Sequence, residues 1–290
     1  MILFADSGST KCDWVMVKEN GLPICKTRTI GINPLILSNE AISTIVHKAA
    51  ILTEHRDMVQ EIYFYGAGCC ETDSRKRIRR ILQSIFKNAS FIVIEEDIIG
   101  AVKSTTQNPS VVCILGTGAN CCYYDGKKVI QKSPALGYLL ADEGSGNYLG
   151  KKLLKDYTLG RMPGNLRVLF KNSYASELDQ LMDKLYNAKY PNSFLASFAQ
   201  FIFNNRGDAY IEKILHQGIS KFIDTYLFQY KEELYKHPLH FVGSIAYYSQ
   251  DVLKKMVEEK GYQVKSFIKK PIDHLVNQVI TQRISHKISQ

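Results

Sequence analysis

At 290 residues, with 45% hydrophobic and 22% charged side chains, the chain can bury a substantial core, and its length points to two domains. That composition excludes disordered and collagen-like classes. Lys and Arg exceed Asp and Glu by 37 − 28 = +9, a balance that suits nucleic acid, an anionic surface or a polyphosphate ligand.

The chain opens with an apolar strand, 2–5, running into the polar turn Asp6-Ser7-Gly8-Ser9-Thr10-Lys11. A second strand at 14–17, the turn Glu19-Asn20-Gly21 and a third strand at 24–29 complete an antiparallel meander, since Asn-Gly between apolar runs is a strong hairpin signal. Ile42, Ile45, Val46 and Ala49 have helical spacing, and 62–65 reads as a strand. Ile78, Ile81, Leu82 and Ile85 predict an amphipathic helix over 77–86. The basic run Arg75-Lys76-Arg77-Ile78-Arg79-Arg80 then falls mainly on its outer face. We read that run as a solvated surface; no aromatics interleave to stack on bases, so no nucleic-acid partner is expected. A strand at 91–94 and a helix at 98–105 follow, and the loop signal Gln107-Asn108-Pro109 marks a domain boundary.

The same phrase then repeats. A strand at 111–115 turns at Gly116-Thr117-Gly118-Ala119-Asn120 into a strand at 121–124, and Asp125-Gly126 leads to a third at 127–131. Helical patterns follow at 143–157, 176–186, 194–203 and 210–234. A buried strand at 239–242 and a helix at 249–260, closed by Gly261, complete the half. A final helix over 272–288 is expected to pack back on the first domain. The fold class is α/β, with mixed sheets in domains 1–109 (plus 272–290) and 110–271.

The seven cysteines include two adjacent pairs and no CxxC, which points to free thiols in a reducing cytoplasm. The first strand lacks the charged leader and long apolar stretch of a signal peptide, and no apolar run is long enough to span a bilayer. A cytoplasmic protein without membrane association is therefore expected.

Glycine turns between strands let backbone N–H groups approach phosphate oxygens. Two such turns at matching places in a duplicated meander are stronger evidence than one. Neither is a Walker A loop or a dinucleotide fingerprint. Asp6 to Lys11 with Asp13 resembles the first phosphate motif of the BadF/BadG/BcrA/BcrD-type ATPases and N-acetylglucosamine kinases. Leu115 to Cys121 resembles the second phosphate motif. Asp142-Glu143-Gly144-Ser145-Gly146-Asn147-Tyr148-Leu149-Gly150 resembles their DEGSGxWxG segment, and Phe241-Val242-Gly243-Ser244-Ile245 the adenosine motif.

The resemblance implies two ribonuclease-H-like domains of the sugar kinase/Hsp70/actin type, with ATP and Mg²⁺ in the cleft between them. It implies ATP contacts at Gly8, Ser9, Thr10, Lys11, Gly116, Thr117, Gly118, Gly207, Gly243 and Ser244. Asp97 is implied as the base taking the proton from a sugar 6-hydroxyl, and Asp6 as holding Mg²⁺ through water. Asn33, Gly118, Ala119, Asn120, Gly137 and Asp142 are implied as sugar contacts. Structural readings stand beside these: Asp97 as a helix N-cap, Asp6 in an Asx-turn, Asn33 as a turn residue, Asp208 as a cap, and Asp142 with Glu143 opening a helix.

The function expected is phosphorylation of an amino sugar of the N-acetylglucosamine type, with closure of the domains on substrate and, as in many such kinases, a homodimer. The alternatives are an ATPase activator of a dehydratase or reductase, carrying an iron–sulfur cluster, or a non-catalytic nucleotide sensor.

Overall fold

The computed structural model describes residues 1–187 and 190–288. The chain divides into two compact units, Met1–Gln107 together with the chain from Lys270 onward, and Asn108–Lys269.

In the first unit β1 (Ile2–Ser7), β2 (Lys11–Val17) and β3 (Pro23–Ile30) form the antiparallel meander, and β4 (Glu61–Gly66) and β5 (Phe91–Glu96) extend it in parallel. The order is β3-β2-β1-β4-β5. The helix Asn39–Lys48 precedes β4, Thr72–Ile85 connects β4 to β5, and Asp97–Thr105 leaves β5. One sheet face buries Ile2, Phe4, Val15 and Val17 against Ile272, Val276 and Ile280 of the C-terminal helix Pro271–Ile288. Alternate residues of each strand point this way, as period-2 geometry requires.

The second unit repeats the arrangement. β6 (Ser110–Leu115), β7 (Ala119–Tyr124) and β8 (Val129–Ile130) are antiparallel, and β9 (Leu239–Val242) and β10 (Val264–Ile268) run parallel to β6. The order β10-β9-β6-β7-β8, read from its β8 end, is that of the first sheet with each strand replaced by its counterpart. The core packs β6, β7 and β9 against Leu149, Leu153, Phe198, Ile219 and Phe222 from the surrounding helices.

Several expectations shift. The third strand of the second meander is two residues long, not five. Asp125 Oδ1 accepts the N–H groups of Lys127 and Lys128, and the chain leaves the sheet edge at Lys132, whose N–H donates to the Tyr230 hydroxyl. The helix expected from 143 starts at Gly146, capped by the Ser145 hydroxyl, because Asp142 (φ 71°) and Gly144 (φ 74°) turn the chain first. Asp142 and Glu143 therefore do not open the helix. A helix at Gly164–Asp179 begins earlier than the 176–186 pattern suggested, and 210–234 splits into Ala209–Thr225, a 3₁₀ turn Leu227–Tyr230 and Lys231–Leu234. The edge strand β10 is absent from the sequence reading; Lys265, Ser266 and a mostly half-exposed pattern hide it.

Candidate active site

The first unit gathers its polar residues at the end where β1, β4 and β5 finish. Asp6 lies beside Asp13 across β1 and β2. The turn that follows is closed by Gly8 N–H donating to Lys11 O (3.0 Å). It is braced from β3's exit: Gly31 N–H donates to Thr10 O (3.1 Å), Ile32 N–H to Ser7 Oγ (2.8 Å), and Ser7 Oγ to Ile32 O (3.0 Å). A side chain at Gly31 would stand 2.2 Å from Gly8 O, so only glycine allows this approach. Lys11 reaches Asp13 at 3.3 Å, and Arg28 meets the same carboxylate at 2.7 Å. Lys11 is thus tied sideways to its own strand.

The brace leads directly to Asn33. Its Oδ1 accepts Leu35 N–H (2.9 Å), an Asx-turn, and Gly68 in the turn after β4 packs against the same amide. Arg77 fixes the loop from the other side, donating to Pro34 O, Leu37 O and Asn39 Oδ1. The basic run is therefore not wholly a solvated face. Arg77 turns inward to satisfy loop carbonyls, a use that its alternation with Ile78 and Ile81 did not disclose.

Asp97 follows β5 as the first residue of the helix Asp97–Thr105, while Glu96 occupies the N-cap position without a side-chain cap bond. Asp97 is therefore not the cap; its carboxyl accepts from the Ile98 N–H. Desolvation, then the neighbouring Glu96 charge, push it up to about 7. Asp6 is also pushed up to about 7, first by burial and then by the charges of Asp97 and Asp13. The two carboxyls thus occupy one electrostatic site. Cys69 adjoins it, its thiol pushed up to about 12 by burial and by Asp97.

In the second unit the glycine turn 116–120 is held by the segment 142–147. Asp142 is buried, its Oδ1 accepts Ala119 N–H (2.9 Å), its Oδ2 accepts Asn147 Nδ2 (2.8 Å), and its N–H donates to the Tyr226 hydroxyl (3.0 Å). A Cβ at Gly118 would lie 2.9 Å from Asp142 Oδ2, so a side chain there would press on the carboxylate that holds the turn. Gly243 (φ 115°) ends β9 against the start of the turn; a Cβ would be 2.5 Å from Leu115 O. Ser244 follows as the first residue of a short helix. Asn120 Oδ1 accepts Cys121 N–H (2.8 Å).

Two sequence candidates lie outside this cluster's hydrogen bonds. Gly207 donates to Glu212 Oε1 (2.8 Å), and Asp208 caps the helix Ala209–Thr225 by accepting Tyr210 N–H (2.8 Å). Arg206 ties this corner to Tyr248 O and Asp251, beyond the adenosine motif. Gly137 opens a short helix with Leu139 and Leu140 78% and 77% exposed; Lys151 Nζ anchors it at Tyr138 O (2.6 Å). Sequence reasoning missed Ser7, Gly31, Arg77 and Asn147 as site-shaping residues. Ser7 and Asn147 stood inside quoted motifs, whereas Arg77 carried no signal.

Two mixed five-stranded sheets with one strand order, each ending β-strand to β-strand in a glycine turn, define an α/β protein of the actin-like ATPase and sugar kinase fold. No family model and no curated protein matches the chain. Among solved structures, a "putative N-acetylglucosamine kinase" of Porphyromonas gingivalis is 30% identical, with 98% of this chain and 100% of that one covered at a TM-score of 0.88. The chain belongs to the sugar kinase/actin-like ATPase superfamily. A second "putative N-acetylglucosamine kinase", from Chromobacterium violaceum, is 13% identical over 96% and 98% of the chains (TM-score 0.71). A ROK-family glucokinase from Streptomyces griseus, solved with glucose and AMPPNP, is 13% identical over 96% and 97% (TM-score 0.59). These last two share the fold.

Proposed function

We propose that this protein is an ATP-dependent kinase that phosphorylates an amino sugar of the N-acetylglucosamine type at its 6-hydroxyl. The observation that carries the reading is the Asp97–Asp6 pair: a carboxyl at the end of β5 whose proton affinity is raised to about 7. A base poised near neutrality takes up a hydroxyl proton and releases it again with little penalty. The whole-length likeness to a kinase-named protein supports the same conclusion.

Each unit has its own part. In the first, Asp97 accepts the hydroxyl proton as the oxygen attacks the terminal phosphorus and the phosphorus–oxygen bond to ADP breaks, Asn33 orients the sugar, and the turn 8–11 lies against the phosphates. In the second, Gly116, Thr117 and Gly118 cradle phosphate, while Gly243 and Ser244 back the adenosine, with Gly207 nearby. Gly118, Ala119, Asn120, Gly137 and Asp142 border the sugar. Asp142 has two lone-pair directions left after its internal bonds.

The donor set near Asp6 is carboxylate oxygen, which suits a hard cation, and no group of three ligating side chains forms among the described residues. Magnesium bound largely through its own water and the nucleotide fits that chemistry. When bound it neutralises charge developing on the transferred phosphoryl group.

The seven cysteines are all free thiols, and no described helix is long and apolar enough to cross a membrane. The test is ADP release across a panel of amino sugars, with the phosphorylated position of the product determined. Stimulation by one sugar, lost in Asp97→Asn, is expected. ATP turnover that no sugar raises would leave a nucleotide sensor as the better reading.

A further inference from the structure

Asn147 is fully buried in the first turn of the helix Gly146–Thr158. The first N–H groups of a helix have no partner within it. Here those of Gly146 and Asn147 donate to Gly116 O (2.8 Å) and Thr117 O (3.0 Å), two carbonyls of the glycine turn. The Asn147 side chain repeats the contact. Its Nδ2 donates to Thr117 O (2.8 Å) and to Asp142 Oδ2 (2.8 Å), while Asp142 Oδ1 holds Ala119 N–H.

The direction of these bonds has a consequence for the turn's other face. In a planar trans peptide the carbonyl and the following N–H point opposite ways. With the Gly116 and Thr117 carbonyls drawn toward 146–147, the N–H edges of those two peptides face away from that segment. Successive N–H groups so aligned make an anion-binding concavity.

We propose that Asn147 is a positioning residue for this concavity, setting the turn in the shape that receives nucleotide phosphates; the inference rests on the kinase reading above. Stability alone does not account for the amide. Asn147 Oδ1 is buried with no hydrogen-bond partner, which carries a desolvation cost, so what the residue supplies is its pair of donors. Aspartate has the same shape and lacks both donors, and would set a second carboxylate against Asp142.

The experiment is calorimetric binding of ATP and of adenosine to the wild type and to Asn147→Asp, with thermal melts as a folding control. We expect ATP to bind roughly tenfold or more weakly to the variant, the scale of one charge-assisted hydrogen bond, and adenosine affinity to stay within about twofold. Equal losses for both ligands would reduce Asn147 to a general structural role, and unchanged ATP affinity would remove it from the site; either overturns the proposal while the kinase reading stands. A wild type that does not bind ATP sinks the kinase reading and this inference with it. Should Asn147→Asp not fold, Asn147→Ser, which adds no charge, is read by the same criteria.

Discussion

Replacing Asp97 by asparagine is expected to change activity and stability in opposite directions. Raising a carboxyl from its ordinary 3.8 to about 7 corresponds to roughly 4 kcal/mol of disfavoured ionisation. Asp97 is half-buried at the residue level, so solvent screening reduces the usable figure to about 2 kcal/mol. The sign follows from proton binding. Between pH 3.8 and about 7 the folded state holds a proton that the unfolded chain has released, so stability contributed by this group falls as pH rises through that window and stays low above it. Asparagine carries no charge to desolvate. Asp97→Asn should therefore be more stable than wild type at pH 8, by about 2 kcal/mol or several degrees of melting temperature, with the difference vanishing toward pH 4. It should also lower the affinity of Asp6 for its proton, because the Asp97 charge is one of the things holding Asp6 up. Sugar-dependent turnover should fall by about 10²–10⁴. Denaturant melts at pH 4, 6 and 8, paired with ADP-release rates, make the comparison. A variant that is less stable at pH 8, or one that keeps wild-type turnover, would refute the assignment of a desolvated catalytic carboxyl.

For the wild type, sugar-dependent kcat/KM should rise with pH through about 7 as Asp97 loses its proton, and a pH–rate profile flat from 5 to 8 would count against it. Arg77→Met removes three donors from the Asn33 loop and should raise the KM for sugar about tenfold, with ATP affinity within about twofold; steady-state kinetics decide this. Gly243→Ala places a Cβ 2.5 Å from Leu115 O at φ 115°, and should cost about 3 kcal/mol of stability and most ATP affinity, measured by melting and calorimetry.

The sequence by itself determined the α/β class and both meanders. Each rests on local rules: period-2 apolar runs, and Asn-Gly or Asp-Gly turns whose chemistry depends on neighbours only a few residues away. It also drew attention to the two glycine turns and to the carboxylates Asp6, Asp97 and Asp142 before any geometry was at hand. It failed where a distant partner decides the outcome. The strand at 127–131 shrinks to Val129–Ile130, and two residues past its end the Lys132 amide donates to the hydroxyl of the distant Tyr230. The helix expected from 143 waits for Ser145 because Asp142, at positive φ, turns its carboxylate back to Ala119.

Arg77 reads as one basic residue among five and proves to be the clamp of the Asn33 loop. Asn147, a variable-looking position within a motif, bridges Thr117 and Asp142. Buried amides and guanidinium groups choose partners by distance and direction, and those exist only once the chain has folded. The proton affinities of Asp6 and Asp97 are of the same kind: desolvation and adjacent charge set them, and both are properties of the packed end of a sheet.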